Sequence, residues 1–363
     1  MEQVQSLRLQ GKNQEAWAIY QTIQGDPAAM AYERSILSYY VGVPKEEALL
    51  DFMRSYSAYK NLDYGNLLFY VLPFRSSIHP LPVEPMDDFL PTSTSILSLG
   101  DSLLLNIRYV NYRIQPDGSY LMSEGGTLSP HHHLRTRNVC MRTDLSLTPL
   151  SQVEVVPATP PLHDRHIHGI EDIRLFRKGA NIHFSGTSCE YSHNGGIQQV
   201  QGIYAETKLH ISPMISPCSA SVEKNWIPLN RAYEDDSRFI YSWHPLTIGR
   251  VTDGHFHVET TVETPYFFKH VRGSTTLVCY KGELYCMVHS VIETCPRKYY
   301  HLVVKLSSSY EFLAYTVPYY FVKNHIEYTL GMHIADGEIT CIASQNDCEP
   351  IVVRIPLDSL LWI

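Results

Sequence analysis

The spacing of apolar positions divides the chain into three stretches. Leu7, Leu9, Ala16, Ile19, Tyr20 and Ile23 recur at roughly helical intervals, and Gly11 breaks the run between two short helices. Helix is therefore expected in a segment covering residues 1–72. Prolines follow at 73, 80, 82, 85 and 91. Proline fixes φ and lacks an amide donor, so this stretch is neither helix nor central strand. It reads as a linker over residues 73–92 and marks a domain boundary. Beyond it the period shortens to that of strands. Ile96-Leu97-Ser98-Leu99 passes through Gly100-Asp101 into the apolar run Ser102 to Tyr112, a strand, a tight turn and a strand. The unit returns around Gly179-Ala180, around Lys281-Gly282 and around Asp336-Gly337.

Hairpins that recur some fifty residues or more apart suggest propeller blades, and residues 93–363 leave room for five. The expected fold class is mainly β, a five-bladed β-propeller preceded by a small α-helical segment. A β-sandwich is the competing architecture. In the helical segment, Gly11, Ala16, Tyr20 and Pro27 resemble the second half of a tetratricopeptide repeat, and Gly42, Ala48 and Phe52 echo them one period later. Two such units do not make a solenoid. The segment reads as a helical cap on the β region, with a dimer contact or a partner enzyme as the alternative use.

Composition narrows the function. The chain has 25 Tyr and 22 Pro, which suit strands and turns. Net charge is −8 and no basic block stands out, so nucleic acid is not an expected partner. No long uncharged apolar run suggests a membrane span, and the polar start Met1-Glu2-Gln3 does not read as a signal peptide. The eight Cys form no C-x-x-C pair, which points to reduced thiols in a cytoplasmic setting.

Candidate chemistry lies where polar residues interrupt the strands. In His168 to Phe176, strict alternation would put Asp172 and Arg174 on one face and Glu171, Ile173 and Leu175 on the other. A charge pair on an apolar strand costs desolvation energy. It is either a structural ion pair or a proton donor beside an anion-binding arginine. Arg108 and Asn111 occupy the first unit, and Glu223-Lys224-Asn225 a later segment. Arg272, His289, Arg297, Tyr300, His301 and Glu327 fall at comparable points of the last units. His163, His166 and His168 form a possible ligand set for a divalent metal, the one cofactor the sequence raises. The tract His131-His132-His133 reads as a polar loop.

Gly169-Ile170-Glu171-Asp172-Ile173-Arg174 resembles the Gly-x-Glu-Asp-Pro-Arg signature of the five-bladed-propeller mannoside phosphorylases and their mannosidase and mannosyltransferase relatives, with Ile173 in place of the proline. Lys224-Asn225-Trp226 is similar to that family's Lys-Asn-Trp segment, and Val288-His289 with Tyr300 to its later histidine-and-tyrosine stretch. The layout of tetratricopeptide-like helices before such a propeller also looks like proteins associated with glycosyltransferases. The resemblance implies a general acid at Asp172, with Glu171 or Glu223 as second carboxylate. It implies phosphate or sugar-phosphate binding by Arg174, Lys224, His289 and Arg297. Trp226, Tyr299 and Tyr300 would stack on a sugar. The expected function is making or breaking a glycosidic bond with a sugar phosphate or nucleotide sugar, by a glycosyltransferase or glycoside phosphorylase. A hydrolase fits the cations less well. The alternative is a non-catalytic glycan- or protein-binding propeller.

Overall fold

A computed structural model describes residues 1–58, 64–205, 207–218, 220–229 and 237–363. The helical stretch read from the sequence includes residues 59–63, which lie outside the described residues.

Four α-helices open the described chain: α1 (Glu2–Leu9), α2 (Asn13–Tyr20), α3 (Pro27–Val41) and α4 (Lys45–Ala58). Local chemistry sets the ends of α3. The Asp26 side chain accepts the Ala29 amide, Pro27 occupies the first turn, and Gly42 closes the helix at φ 81°. Ala48, Leu49, Phe52, Met53 and Tyr56 of α4 are buried at i, i+3, i+4 spacing. They share one core with Phe267, Phe268, Val288 and Leu302 of the β region. The helices are thus packed onto the sheets through α4, and the Tyr56 hydroxyl lies 3.0 Å from the His270 ring nitrogen.

The β region is built from antiparallel four-stranded meanders. The first comprises Leu90–Ser98, Leu103–Val110, Leu134–Thr143 and Pro149–Pro157. Its second and third strands are separated by a small three-stranded sheet, Tyr112–Ile114, Tyr120–Glu124 and Thr127–Ser129. The second meander runs Glu171–Lys178, Asn181–Ser188, Gln198–Tyr204, Lys208–Pro213. Another comprises Ile227–Pro228, Arg238–Trp243, Leu246–Thr252 and His255–Val262. Its central hairpin turns at His244-Pro245, without a glycine like Gly179, Gly282 or Gly337, and the apolar pattern alone did not reveal it. Glu283–Ile292 and Lys298–Leu306 are the long strands of the next sheet.

The last meander, Glu327–Ala335, Glu338–Gln345 and Glu349–Pro356, takes its outer strand from before the first. Ser77–Pro80, inside the proline-rich stretch, pairs antiparallel with Glu349–Pro356. Leu72–Pro73 likewise pairs in parallel with Tyr319–Tyr320. Both are edge strands, where a proline leaves no ladder hydrogen bond broken. The turns Lys281-Gly282 and Asp336-Gly337 hold both residues at positive φ, the twist that a two-residue hairpin needs. Among the described residues no helix is long and apolar enough to cross a membrane.

Candidate active site

The strand starting at Glu171 does not alternate as its sequence suggests. Its register slips between Glu171 and Arg174, a β-bulge, and Asp172 sits at φ 52°. A bulge re-aims side chains. Glu171 and Asp172 therefore face the same way, into a cavity of about 160 Å3, while Ile173 and Leu175 enter the core. Gly169 makes the approach possible. At φ 92° a Cβ there would stand 2.4 Å from the Thr136 carbonyl oxygen, so no larger residue fits.

Arg108, from the first meander, bridges the two acids. Its Nη1 lies 3.0 Å from Asp172 Oδ1 and its Nη2 3.2 Å from Glu171 Oε1. Burial works against the guanidinium charge, yet Glu171, Asp172 and the nearby Asp347 hold it well above its ordinary range. Ser93 donates a further bond of 3.4 Å to Asp172 Oδ1.

Asp347 is a site residue that the sequence reading missed, as are the cavity-lining Tyr112, Tyr120 and Tyr328. Of these, Asp347 carries the charge. It lies in the turn of the last hairpin at φ 54°, lines the cavity, and accepts a 3.0 Å bond from the Tyr112 hydroxyl. Burial raises its pKa, against the pull of Arg108. Only its place in an Asn346-Asp347 turn at the end of a strand pair could have hinted at it.

Cations also line the cavity. Lys224, Arg272 and Arg297 line it, the two arginines 51% and 54% exposed. Glu293 sits between the arginines, 2.9 Å from Arg297 Nε and 3.8 Å from Arg272 Nη2. Asn225 and His289 also line the cavity. His289 Nδ1 is 2.8 Å from Ser274 Oγ, and its ring stacks on Tyr299 at 5.7 Å. Burial, with His301, Arg272, Arg174 and Lys224 around it, pushes the imidazole pKa well below its ordinary value. His289 therefore offers a neutral ring rather than a positive charge. Tyr299 lines the cavity as expected of a stacking residue, and burial pushes its phenol up to about 12.

Other sequence candidates lie elsewhere. Arg174 is fully buried, and each of its guanidinium nitrogens donates to protein: Nε to Ser274 O at 2.7 Å, Nη1 to Asp172 O at 3.2 Å, Nη2 to the Tyr328 hydroxyl at 2.8 Å. It is a strut beneath the site, not an anion ligand. Asn111 closes a turn, donating to Ser123 O and His133 O and accepting from the Arg135 amide. The Glu223 carboxylate is held by Trp226 Nε1, the Tyr241 hydroxyl and the Cys218 thiol, away from Asp172's cavity. Trp226 packs with Phe239 and Phe256 in the core. Strand alternation sends Tyr300 to the opposite face from Tyr299, into the core. His301 is fully buried and stacks on Phe321 at 4.1 Å; burial pushes it down to about 3. Glu327 accepts the amides of Phe321, Val322 and Lys323, so its carboxylate shapes that turn.

The histidines do not converge as a metal triad. His163 Nε2 meets Ser192 O at 3.1 Å. His166 and His168 instead bracket His133 of the polar loop, at 3.2 and 2.7 Å, and His168 Nδ1 is 2.8 Å from Glu190. Among the described residues no three His, Cys, Asp or Glu are placed to hold a metal ion.

No protein-family model matches the chain, and no curated protein does. Solved structures do. A β-1,2-mannobiose phosphorylase from Listeria innocua superposes with a TM-score of 0.53 at 13% identity, over 77% of this chain and 94% of that one. A member of glycoside hydrolase family 130, a family of mannoside phosphorylases that contains hydrolases of β-1,2-mannosidic linkages, gives 0.54 at 8% identity over 78% and 95%. A glycosyl hydrolase from Bacteroides ovatus gives 0.52 at 8% identity over 78% and 93%. At these identities the likeness is one of fold, and that fold is propeller-like.

Proposed function

We propose that the protein is a carbohydrate-active enzyme that moves a mannosyl residue between a phosphate-type leaving group and a sugar hydroxyl. In this reading the meanders are five blades of a propeller, and the cavity is its funnel. The observation that carries it is the mixed lining of that cavity. The carboxylates Glu171 and Asp172, bridged by Arg108, line it together with Lys224, Arg272 and Arg297.

Each set of groups suits one half of the reaction. Asp172 is the proton donor for the glycosidic oxygen. The cations hold the phosphate whose oxygen attacks the anomeric carbon as the bond to the leaving oxygen breaks. In the synthetic direction the same groups act in reverse, with Asp172 accepting the proton of the attacking hydroxyl. His289, neutral, adds hydrogen-bonding capacity and no charge. A hydrolase activates water with its second carboxylate and has no use for three cations. The mannoside as substrate class follows from the phosphorylase and the hydrolase family that share the fold.

The test is β-1,2-mannobiose with and without inorganic phosphate, and mannose 1-phosphate with mannose. Phosphate-dependent turnover should disappear in Asp172→Asn while thermal stabilisation by the sugar persists. Stabilisation by phosphate should disappear in Lys224→Ala. Cleavage that proceeds without phosphate and is untouched by Lys224→Ala would overturn the reading. So would the absence of both turnover and stabilisation by phosphate, mannose or mannose 1-phosphate.

A further inference from the structure

Arg272 and Arg297 reach the funnel from different strands. Arg272 lies on the short strand Val271–Gly273, opposite His289 of the long strand Glu283–Ile292. Arg297 ends the loop that joins that long strand to Lys298–Leu306, and Glu293 begins it. The Glu293 carboxylate spans the two. One oxygen lies 2.9 Å from Arg297 Nε and the other 3.8 Å from Arg272 Nη2. Burial works against the Arg297 charge, and Glu293 leads the groups that hold it above its ordinary range. A carboxylate set between two guanidinium groups takes the place a phosphate needs, because both anions offer paired oxygens to the arginine fork.

The pairing contributes little to folding, since ion pairs between exposed groups are weak and Glu293 is 57% exposed. The loop is pinned by other contacts. Thr294 Oγ1 donates to Pro296 O at 2.8 Å, and the Cys295 thiol donates to Asp117 O at 3.0 Å. The Glu293 side chain can therefore turn away while the backbone stays. A cleft of about 300 Å3 beside the funnel can receive it. Tyr120 and Arg297 line both spaces, and Glu293 lines the cleft.

We propose that Glu293 is an internal competitor for the anion site, displaced by phosphate-type substrates and not by small singly charged anions. This rests on the reading of the funnel cations as phosphate-binding and adds a residue that sets their selectivity. A small monoanion entering between the arginines exchanges one single charge for another and loses translational freedom in doing so. A tethered carboxylate meets its partners at an effective concentration on the order of millimolar, so weak monoanions are held out. A phosphate monoester carries about −1.5 to −2 at pH 7 and three acceptor oxygens, so it gains more from the two guanidinium groups than a carboxylate does.

The test is calorimetric titration of the full chain with inorganic phosphate, alone and in the presence of acetate, for the parent protein and Glu293→Gln. The glutamine keeps the size and removes the charge. Phosphate should bind about fivefold more tightly to the variant, and kcat/KM for phosphate should rise by a similar factor. Acetate should weaken phosphate binding in the variant and leave it unchanged in the parent. Asp117→Asn is the control for charge alone. Asp117 lines the same cleft, but its carboxylate accepts from the Ser119 amide and hydroxyl. That variant should keep phosphate affinity within about twofold, because solvent and salt screen an exposed charge that does not touch the arginines. Phosphate affinity unchanged in Glu293→Gln would overturn the competitor and leave the phosphate reading standing. Equal tightening in Asp117→Asn would overturn it too, making the effect one of general charge. So would a fall in turnover without tighter phosphate binding, which would give the carboxylate a part in the chemistry. Binding of phosphate to none of the three proteins would overturn both readings.

Discussion

Two clusters of ionisable side chains flank Gly169, and they have opposite fates. On one side Glu190, His168, His133 and His166 run in a chain of contacts at 2.8, 2.7 and 3.2 Å, each group partnered by the next. On the other, Glu171 and Asp172 share Arg108 and open onto a cavity. The residue types are equally suited to chemistry. What separates them is where their hydrogen-bonding capacity is spent. A cluster that satisfies itself fixes loops together, since a buried polar atom left alone costs about 1–3 kcal/mol. A cluster that keeps capacity facing a cavity can bind or transfer a proton.

The comparison breaks most visibly if the acid side proves dispensable. Asp172→Asn keeps the shape and most contacts with Arg108 but cannot supply a proton. Turnover should fall by roughly 10³-fold, about 4 kcal/mol of barrier, with sugar binding retained. An assay of kcat beside calorimetric binding checks this, and a drop of less than tenfold sinks the acid assignment. The next effect lies under the site. Arg174 ties the second meander to Ser274 and Tyr328, and truncation strands buried acceptors. Arg174→Ala should cost about 3 kcal/mol in denaturant unfolding. A loss of phosphate affinity without a loss of stability would return it to the cavity.

The sequence made some of this visible and hid the rest for a physical reason. Hairpins with Gly at the turn were legible because a positive φ leaves a residue signature, as at Lys281-Gly282 and Asp336-Gly337. The His244-Pro245 hairpin carries no such mark. The carboxylates, Lys224, Arg272, His289 and Arg297 were legible as types, and the fold gathers them around one cavity. Arg174, Glu223, His301 and Glu327 were equally conspicuous but are consumed by internal contacts, which no linear pattern reports. The bulge at Glu171–Arg174 was hidden as well, because one extra residue in a strand changes which way a side chain points without changing its type. Asp347 reaches the site through a turn, where no periodicity constrains it.

His301 sharpens the comparison from inside the core, because it is a fully buried histidine stacked on Phe321. An unfolded imidazole titrates near pH 6.5, while burial takes His301 down to about 3. Between these values the unfolded chain binds the extra proton, so its contribution is intact above about pH 6.5 and is lost as pH falls. His289 shifts in the same direction. Glu327 is raised and works with the opposite sign, but it is common to both proteins in a comparison with His301→Phe. That substitution keeps the stack on Phe321 and removes the titration. Proton uptake on unfolding at pH 5 should drop by about one, and the acid destabilisation should shrink by about 2 kcal/mol at that pH. Equal pH slopes for the two proteins would mean that His301 is solvated in solution.

The smallest effect is the one the comparison assigns to the histidine chain. His133 joins both of its neighbours, so His133→Ala removes two hydrogen bonds, each worth about 0.5–1.5 kcal/mol net. The site is half-exposed, and water replaces part of what is lost, so the expected cost is about 1 kcal/mol. Turnover should stay within about twofold, because the chain ends on Glu190, whose other side-chain hydrogen bond among the described residues is to the Gly169 amide at 2.6 Å rather than to Glu171 or Asp172. Measuring kcat and unfolding on the same preparation separates the two readings. A small stability loss with unchanged turnover keeps the two clusters distinct. A tenfold loss of turnover at unchanged stability would mean that the chain acts through Gly169 on the position of Asp172, and the division between a structural side and a chemical side of that glycine would fall.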